Sequence, residues 1–217
     1  MGLTLIIANR AYSSWSFRPW ILMRHFGMTF DEIVIPLAQE ATRAEILKIS
    51  ASGKIPALRD GGVTVWDSLA IIEYVAEAVP TVPLWPSDRP ARAQARSLAA
   101  EMHSGFAALR GHLPMNMRRK IKQRALTPEA TADVLRLEEA FQHARATFGQ
   151  AGPFLFGEFC AADAMFAPVI NRLHVYDVAV APATRAYMDA VAALPAFREW
   201  QALAEAEPWF IDKYEVP

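Results

Sequence analysis

The first third of the chain alternates between short apolar runs and polar, glycine-containing segments, a pattern that predicts strands joined by turns. The runs cover residues 3–7, 30–35, 57–60 and 63–65. Between the last two, Asp60-Gly61-Gly62 is typical of a hairpin, because glycine adopts positive φ without steric cost. We therefore expect two of the four strands to pair as a hairpin.

Apolar residues spaced by three and four predict helices between these strands. The first helix begins within residues 14–17, because Pro19 is tolerated only near a first turn, and it ends at Gly27. Residues 42–49 predict a short second helix, and Asp67 opens a third. The order is βαβ, then α, then ββα, which is a thioredoxin-like arrangement.

The remainder of the chain predicts helices alone. Four prolines fall within residues 79–90, and an Ala-rich sequence with helical spacing follows. The predicted helices cover residues 91–112, 127–148, 161–176, 184–193 and 196–205. We therefore expect an α/β part followed by an all-α part. The N-terminal thioredoxin-like βαβαββα domain would span residues 1–79, a Pro-rich linker 80–90 and a C-terminal α-helical bundle 91–217.

Composition excludes several classes of protein. A net charge of −1 over 217 residues argues against a nucleic-acid binder that works by phosphate neutralisation. The single cysteine, Cys160, excludes an intrachain disulfide and is compatible with a reducing cytoplasm. No apolar stretch approaches the length of a membrane span, and residues 3–8 are too short for a signal peptide. We expect a cytoplasmic protein without nucleic-acid or membrane partners.

Residues 53–74 carry the most concentrated set of chemical features. Pro56 lacks an N–H and suits the start of an edge strand, where a cis Ile55–Pro56 bond would turn the Ile55 backbone outward to pair with an extended peptide. Asp67 and Ser68 lie at a helix start, whose unpaired N–H groups favour a carboxylate ligand. From these residues alone, an ordinary hairpin and a capped helix are the favoured interpretation, because most Pro bonds are trans and most caps are only caps.

The run KIPALRDGGVTVWDS resembles the glutathione-binding signature of the glutathione S-transferase superfamily. The resemblance implies that Pro56 is cis and that Ile55 pairs with the cysteinyl backbone of glutathione. It also implies that Asp67 and Ser68 hold the γ-glutamyl end and that Lys54 meets the glycyl carboxylate. Glutathione would be the co-substrate, and the protein a homodimer.

A second candidate segment, Tyr12 to Arg18, follows the first strand. A hydroxyl at a helix N-terminus can donate to a thiolate, which the helix dipole also stabilises. The run resembles the Ser-Ser-Cys-Ser of zeta-class transferases, so Ser13 matches their catalytic serine and Ser14 its neighbour. We expect Ser13 to stabilise the thiolate, with Ser14 and then Tyr12 as alternatives, while Ser14 and Ser16 cap the helix.

The second substrate would meet the first helix of the all-α part. His103 and Arg110 are seven residues apart and would share a helix face able to bind a carboxylate. Together with Trp15 and Phe106 they form our predicted electrophile pocket, whereas Met102 is expected in the core. No His/Cys cluster has the spacing of metal ligands, so we expect no metal.

Asp163 resembles the acid of a helix-capping motif in the same superfamily. The residue three positions earlier is Cys160, a poor acceptor in place of the usual Ser or Thr, so we expect the reciprocal cap to be incomplete. Cys160 itself is expected to be a small buried apolar residue.

These features predict a serine-type glutathione transferase that conjugates glutathione to a small electrophile. One alternative is a glutathione-dependent cis-trans isomerase of the maleylacetoacetate type, although Trp15 replaces the cysteine of the zeta-class motif. The other is a non-catalytic binding module of the same fold, because fold alone does not determine function.

Overall fold

The computed structural model describes residues 2–216, which form a four-stranded sheet followed by a group of helices. The strands are β1 (Leu3–Ile7), β2 (Phe30–Val34), β3 (Ala57–Asp60) and β4 (Val63–Trp66). The helices of the first part are α1 (Ser14–His25), α2 (Thr42–Leu47) and α3 (Ser68–Ala78). The helices of the second part are α4 (Arg89–Ser104), α5 (Ala107–His112), α6 (Pro128–Phe148), α7 (Ala161–Val175), α8 (Pro182–Ala192) and α9 (Pro195–Glu205). A short 3₁₀ helix covers Asp212–Tyr214.

The sheet has the order β2-β1-β3-β4 and confirms the thioredoxin-like arrangement. β1 is parallel to β2 and antiparallel to β3, and β3 pairs with β4 as the predicted hairpin. Both faces of β1 are covered. Leu5 and Ile7 belong to the large core beneath α1, whereas Ile6 packs with Ile46 of α2 on the opposite face. Side chains that alternate along a strand therefore serve two helical layers.

Helix α7 is the centre of the second part, because nearly every one of its residues is buried. It packs against α4 and α8, and also against α1 of the first part. One continuous apolar core consequently runs from the sheet into the helices. The division into domains at residues 79 and 91 remains a prediction, although α3 ends at Ala78 and α4 begins at Arg89.

The single helix predicted over residues 91–112 is wrong. The chain leaves the helix at Gly105, which is extended, and Phe106 has a left-handed φ of 55° before α5 begins. A side chain at position 105 would meet the Glu101 carbonyl oxygen at 2.8 Å, so only glycine fits. Consequently His103 and Arg110 lie on different helices and share no helix face. The apolar period continued across the break because Phe106 is itself buried in the core.

Other element ends differ by a few residues. α2 ends at Leu47 instead of residue 49, and α8 begins at Pro182 instead of residue 184. The first helix behaves as predicted, with Gly27 at a φ of 67° directly after its C-terminus. No helix within residues 2–216 has the length and apolarity that crossing a membrane requires.

Asp163 caps α7 from inside the core, where it is fully buried. Its carboxylate accepts from the N–H of Leu155 at 3.1 Å, the N–H of Cys160 at 2.9 Å and the hydroxyl of Tyr187 at 3.0 Å. Burial raises its pKa to about 6, and the two N–H groups oppose that shift. The reciprocal cap is present, with the Cys160 side chain facing the N–H of Asp163, so the expectation of an incomplete cap is wrong.

We expect Asp163→Ala to lower the free energy of unfolding by about 3–5 kcal/mol, because three buried donors lose their acceptor together. Urea denaturation followed by circular dichroism measures the change. Tyr187→Phe is the matched control, since it removes one donor and leaves the carboxylate with two, and it should cost about 1 kcal/mol. Equal losses in the two variants would mean that the carboxylate is not the organising group.

Candidate functional site

The Ile55–Pro56 peptide bond is cis, as predicted. Among the described residues, the backbone of Ile55 forms no hydrogen bond, although β3 begins only two residues later. Ile55 lines a cleft with a volume of about 420 Å³. The turn therefore presents an unpaired N–H and C=O at the cleft, which is the arrangement that an extended peptide can use.

This cleft lies where the N-terminus of α1 faces the helical part. Its walls include Ser13, Ser14 and Trp15 at the start of α1, and Arg110 and Arg172 from α5 and α7. The sequence thus brings the cis turn and the serine segment, forty residues apart, to one site. Arg172 was missed, although an arginine within the apolar run of α7 was a signal that it has a specific role.

Ser13 is the N-cap of α1, contrary to the expectation that Ser14 and Ser16 would cap. Its Oγ accepts from the N–H of Ser16 at 3.3 Å and donates to Ser16 Oγ at 2.8 Å. Ser16 Oγ also accepts from the N–H of Ala8 at 3.0 Å. The hydroxyl proton of Ser13 is therefore held inside the protein in this structure.

Ser14 occupies the first position of α1 and is nearly buried. Its side chain lines the cleft, and its Oγ forms no hydrogen bond with any residue that the structure describes. Of the two adjacent serines, Ser14 has the hydroxyl that is available to a ligand.

The hydroxyl of Tyr12 is already bonded to other side chains of the protein. Its hydroxyl donates to the Glu215 carboxylate and accepts from Arg118 Nη2 at 2.6 Å, and its ring stacks on Tyr214 at 5.5 Å. Burial and the hydrogen bond to Glu215 raise its pKa. These contacts tie the C-terminal residues to the start of α1, a connection with no sequence signal because its partners are about 200 residues apart.

Asp67 is the N-cap of α3, with an unusual φ of 79° for a residue other than glycine. Its Oδ1 accepts from the N–H of Leu69 at 2.9 Å, and its Oδ2 lies 3.2 Å from His103 Nε2. The neighbouring Ser68 is almost fully buried, and its Oγ has no partner within residues 2–216. The start of α3 therefore presents the Asp67 carboxylate beside the buried hydroxyl of Ser68.

Trp15 is flanked by two arginines and a histidine. The guanidinium carbons of Arg18 and Arg110 lie 4.3 and 4.6 Å from its ring centroid, and the His103 ring meets it edge-on at 5.1 Å. Arg18 is buried, and its pKa falls to about 9 because of desolvation first and the charges of Arg110 and Arg172 next. This side of the site is therefore strongly positive.

The remaining predicted residues are placed as follows. Lys54 is exposed, and its side chain forms no ion pair with the described residues. Phe106 lies in the core and not on the wall of the cleft, and Met102 is buried as expected. His103 contacts Asp67 and Trp15 behind that wall. No group of three or more His, Cys, Asp or Glu side chains within the described chain is arranged to hold a metal.

The sheet order, the cis turn and the helices that follow place the protein in a class defined by its fold. Proteins of this class have a thioredoxin-like N-terminal part followed by helices. A family model described as the N-terminal domain of glutathione S-transferase matches residues 12–78. A probable maleylacetoacetate isomerase of Caenorhabditis elegans is 33% identical over 45% of each chain, so the alignment spans less than half of that relative. Glutathione S-transferase Z2 of Arabidopsis thaliana is 28% identical over 92% of each chain.

The fold has solved counterparts. A glutathione transferase homologue from Burkholderia, crystallised with bound glutathione, superposes with a TM-score of 0.72 at 22% identity. The match covers 95% of this chain and 100% of that one. The N-terminal part of the chain thus matches the glutathione S-transferase family model, and the chain as a whole is similar to proteins named as glutathione S-transferases.

We expect Ser13→Ala to lower the free energy of unfolding by about 1 kcal/mol, because it removes the N-cap of α1 and leaves the N–H of Ser16 without its acceptor. Ser14→Ala is the matched control and should change stability by less than about 0.5 kcal/mol, because the hydroxyl supports no bond in the protein. Thermal melting of the two variants side by side measures the difference. A larger loss in Ser14→Ala would reverse the two assignments.

Proposed function

We propose that the protein is a glutathione transferase that binds glutathione across the cleft, ionises its thiol and transfers the thiolate to a small electrophile. The observation that carries the proposal is the meeting of the cis Ile55–Pro56 turn with the N-terminus of α1 at one cleft. The cis turn supplies a backbone edge for a peptide, and the N-terminus of α1 supplies a hydroxyl and a positive helix end for an anion.

Each part of glutathione has a chemically matched group. The free N–H and C=O of Ile55 pair with the cysteinyl backbone, and the uncommitted ammonium of Lys54 meets the glycyl carboxylate. The Asp67 carboxylate binds the α-ammonium group. The buried Ser68 Oγ, which lacks a partner among residues 2–216, donates to the γ-glutamyl carboxylate at the start of α3. The structural homologue crystallised with bound glutathione supports glutathione as the ligand.

The thiolate then lies near the paired serines. A free thiol has a pKa near 8.5, and lowering it by about two units requires roughly 2.7 kcal/mol of preferential stabilisation. We assign the donor to Ser14, since the Ser13 proton is bonded to Ser16. Ser13 keeps a supporting role as the cap that orients the first turn of α1. Neither hydroxyl acts as a base, because serine is far too weakly acidic near neutral pH.

We expect Asp67→Asn to weaken glutathione binding about tenfold, or about 1.4 kcal/mol, because the variant removes the charge that faces the ammonium group. Asparagine retains an oxygen for capping α3. Asp88→Asn is the control, since Asp88 caps α4 in the same way, with its carboxylate 2.9 Å from the N–H of Ala91. Calorimetry that finds equal affinities for both variants would reduce Asp67 to a cap.

We expect Ser14→Ala to raise the pKa of the bound thiol more than Ser13→Ala does, while Tyr12→Phe leaves it unchanged. The physical reason is that the Tyr12 and Ser13 hydroxyls already donate within the protein, whereas the Ser14 hydroxyl does not. Ultraviolet absorbance of the thiolate, titrated against pH in the glutathione complex of each variant, measures the shift. If Ser13→Ala shifts more, the Ser13 proton rotates away from Ser16 when glutathione binds.

An isomerase of the maleylacetoacetate type is the second candidate, favoured by the relative of that name. Trp15 stands where the zeta-class motif has cysteine, which disfavours close similarity in chemistry. Product analysis with a cis-enone distinguishes isomerisation from conjugation. Retention on immobilised glutathione without turnover of any electrophile would instead indicate a binding module. We further propose a cytoplasmic homodimer, as is common for the superfamily.

A further inference from the structure

The cleft is positively charged without a compensating carboxylate in its wall. Arg110 and Arg172 both line it, and no Asp or Glu of residues 2–216 does. The acids of the surrounding elements are already bonded to protein groups: Asp67 is paired with His103, and Glu215 accepts from the Tyr12 hydroxyl and from Asn116. An uncompensated pair of arginines in a partly enclosed cleft favours an anion there.

Arg110 is held by neutral groups, so its charge is not neutralised. Its Nη1 donates to the carbonyl oxygens of His103 at 3.4 Å and Gly105 at 3.2 Å, and its guanidinium lies against Trp15. Its Nε and Nη2 donate to no residue that the structure describes. The residue is half-buried, and desolvation lowers its pKa. Two donors therefore remain free on a group that has been oriented in advance.

Arg172 helps to fix the position of Arg110. Its Nη1 donates to the carbonyl oxygens of Arg110, at 3.0 Å, and Leu113, while its buried Nε lacks a partner in the described chain. Burial and the Arg110 charge lower the pKa of Arg172 to about 10. Arg18 of α1 adds a third cation, which is buried and whose Nε and Nη1 have no partner among residues 2–216. The three arginines repel one another, and an anion in the cleft would relieve that repulsion.

The serine hydroxyls alone would satisfy only part of the hydrogen-bonding capacity of a bound thiolate. Ser13 donates to Ser16, so Ser14 is the one hydroxyl of this pair that is free to donate. A thiolate accepts several hydrogen bonds and gains most from a cation. Arg110 lines the same cleft as Ser14.

We propose that Arg110, positioned by Arg172 and Trp15, supplies the positive charge that stabilises the thiolate of glutathione in this cleft. This rests on the proposed function. The thiol S–H bond breaks, the electron pair stays on sulfur, and the proton leaves to bulk water. Arg110 remains protonated throughout and takes no part in the proton transfer.

The test is a pH titration of thiolate absorbance in the glutathione complexes of Arg110→Met and Arg110→Lys. We expect Arg110→Met to raise the pKa of the bound thiol by about one unit and to lower kcat/KM with a neutral electrophile about tenfold below that pKa. Arg110→Lys keeps the charge and should recover most of both. Arg110→Gln is a second neutral variant that can still donate to His103 and Gly105, in case the methionine variant folds poorly.

Arg145→Met is the matched control. Arg145 is also half-buried, donates to the Pro153 carbonyl and lies 6.0 Å from the Tyr187 ring centroid, in a different cavity. Its removal should leave the thiol pKa unchanged. Calorimetry of glutathione binding accompanies every titration. Failure of the unmodified protein to bind glutathione would contradict the proposed function itself, whatever the arginine variants do.

Two results would overturn the inference while leaving the proposed function intact. In the first, the neutral Arg110 variants bind glutathione and titrate like the unmodified protein. In the second, the thiol pKa is also unchanged, but KM rises for an electrophile that carries a carboxylate and not for its neutral amide. Arg110 would then bind the second substrate and would not act on the thiolate.

Discussion

The structure depends on the burial of α1 between the sheet and α7. This helix packs against β1, α3, α7 and α9, and most of its residues from Ser14 to Met23 are buried. Its N-terminus carries the serines and Trp15, so the packing that joins the two parts of the chain also fixes the site. A shift of α1 would therefore disturb the core and the cleft together, because densely packed interiors transmit displacement.

The C-terminal residues complete this arrangement from outside the core. Glu207 accepts from the N–H groups of Arg10 and Ala11, at 2.8 and 3.2 Å, and Arg118 donates to the Glu207 carbonyl oxygen. Tyr214 reaches the cleft itself. The loop before α1 is consequently held by residues from the far end of the chain. Polar contacts of this kind specify one position for the loop, since buried donors and acceptors require their partners.

Electrostatics at the site differ from those of the whole chain. The net charge is −1, yet Arg18 and Arg110 lie over the Trp15 ring, and Arg172 donates to the Arg110 carbonyl oxygen. Stacking on an indole stabilises a guanidinium without neutralising it, so the positive potential persists in the cleft. A protein that holds buried cations in this way favours anionic ligands locally while its overall surface remains close to neutral.

Local sequence determined the elements and the two binding segments. Alternation and turn glycines indicated the β3–β4 hairpin, an acid before an apolar run indicated the Asp67 cap, and the resemblance indicated the cis bond at Pro56. Each of these depends on residues within a few positions of one another, where steric and hydrogen-bonding rules act directly. The break at Gly105 escaped prediction because burial of Phe106 preserved the helical period across it.

Tertiary structure alone decided which serine proton is free and which cations reach the cleft. Ser13 and Ser14 are adjacent and chemically identical, and the sequence ranked Ser13 first. The orientation of Ser16 toward Ala8, set by packing of α1 on β1, engages Ser13 and leaves Ser14 open. Arg172 meets Arg110 across 62 residues for a similar reason. Contacts between distant segments follow from how whole helices pack, and no local pattern in the sequence records that geometry.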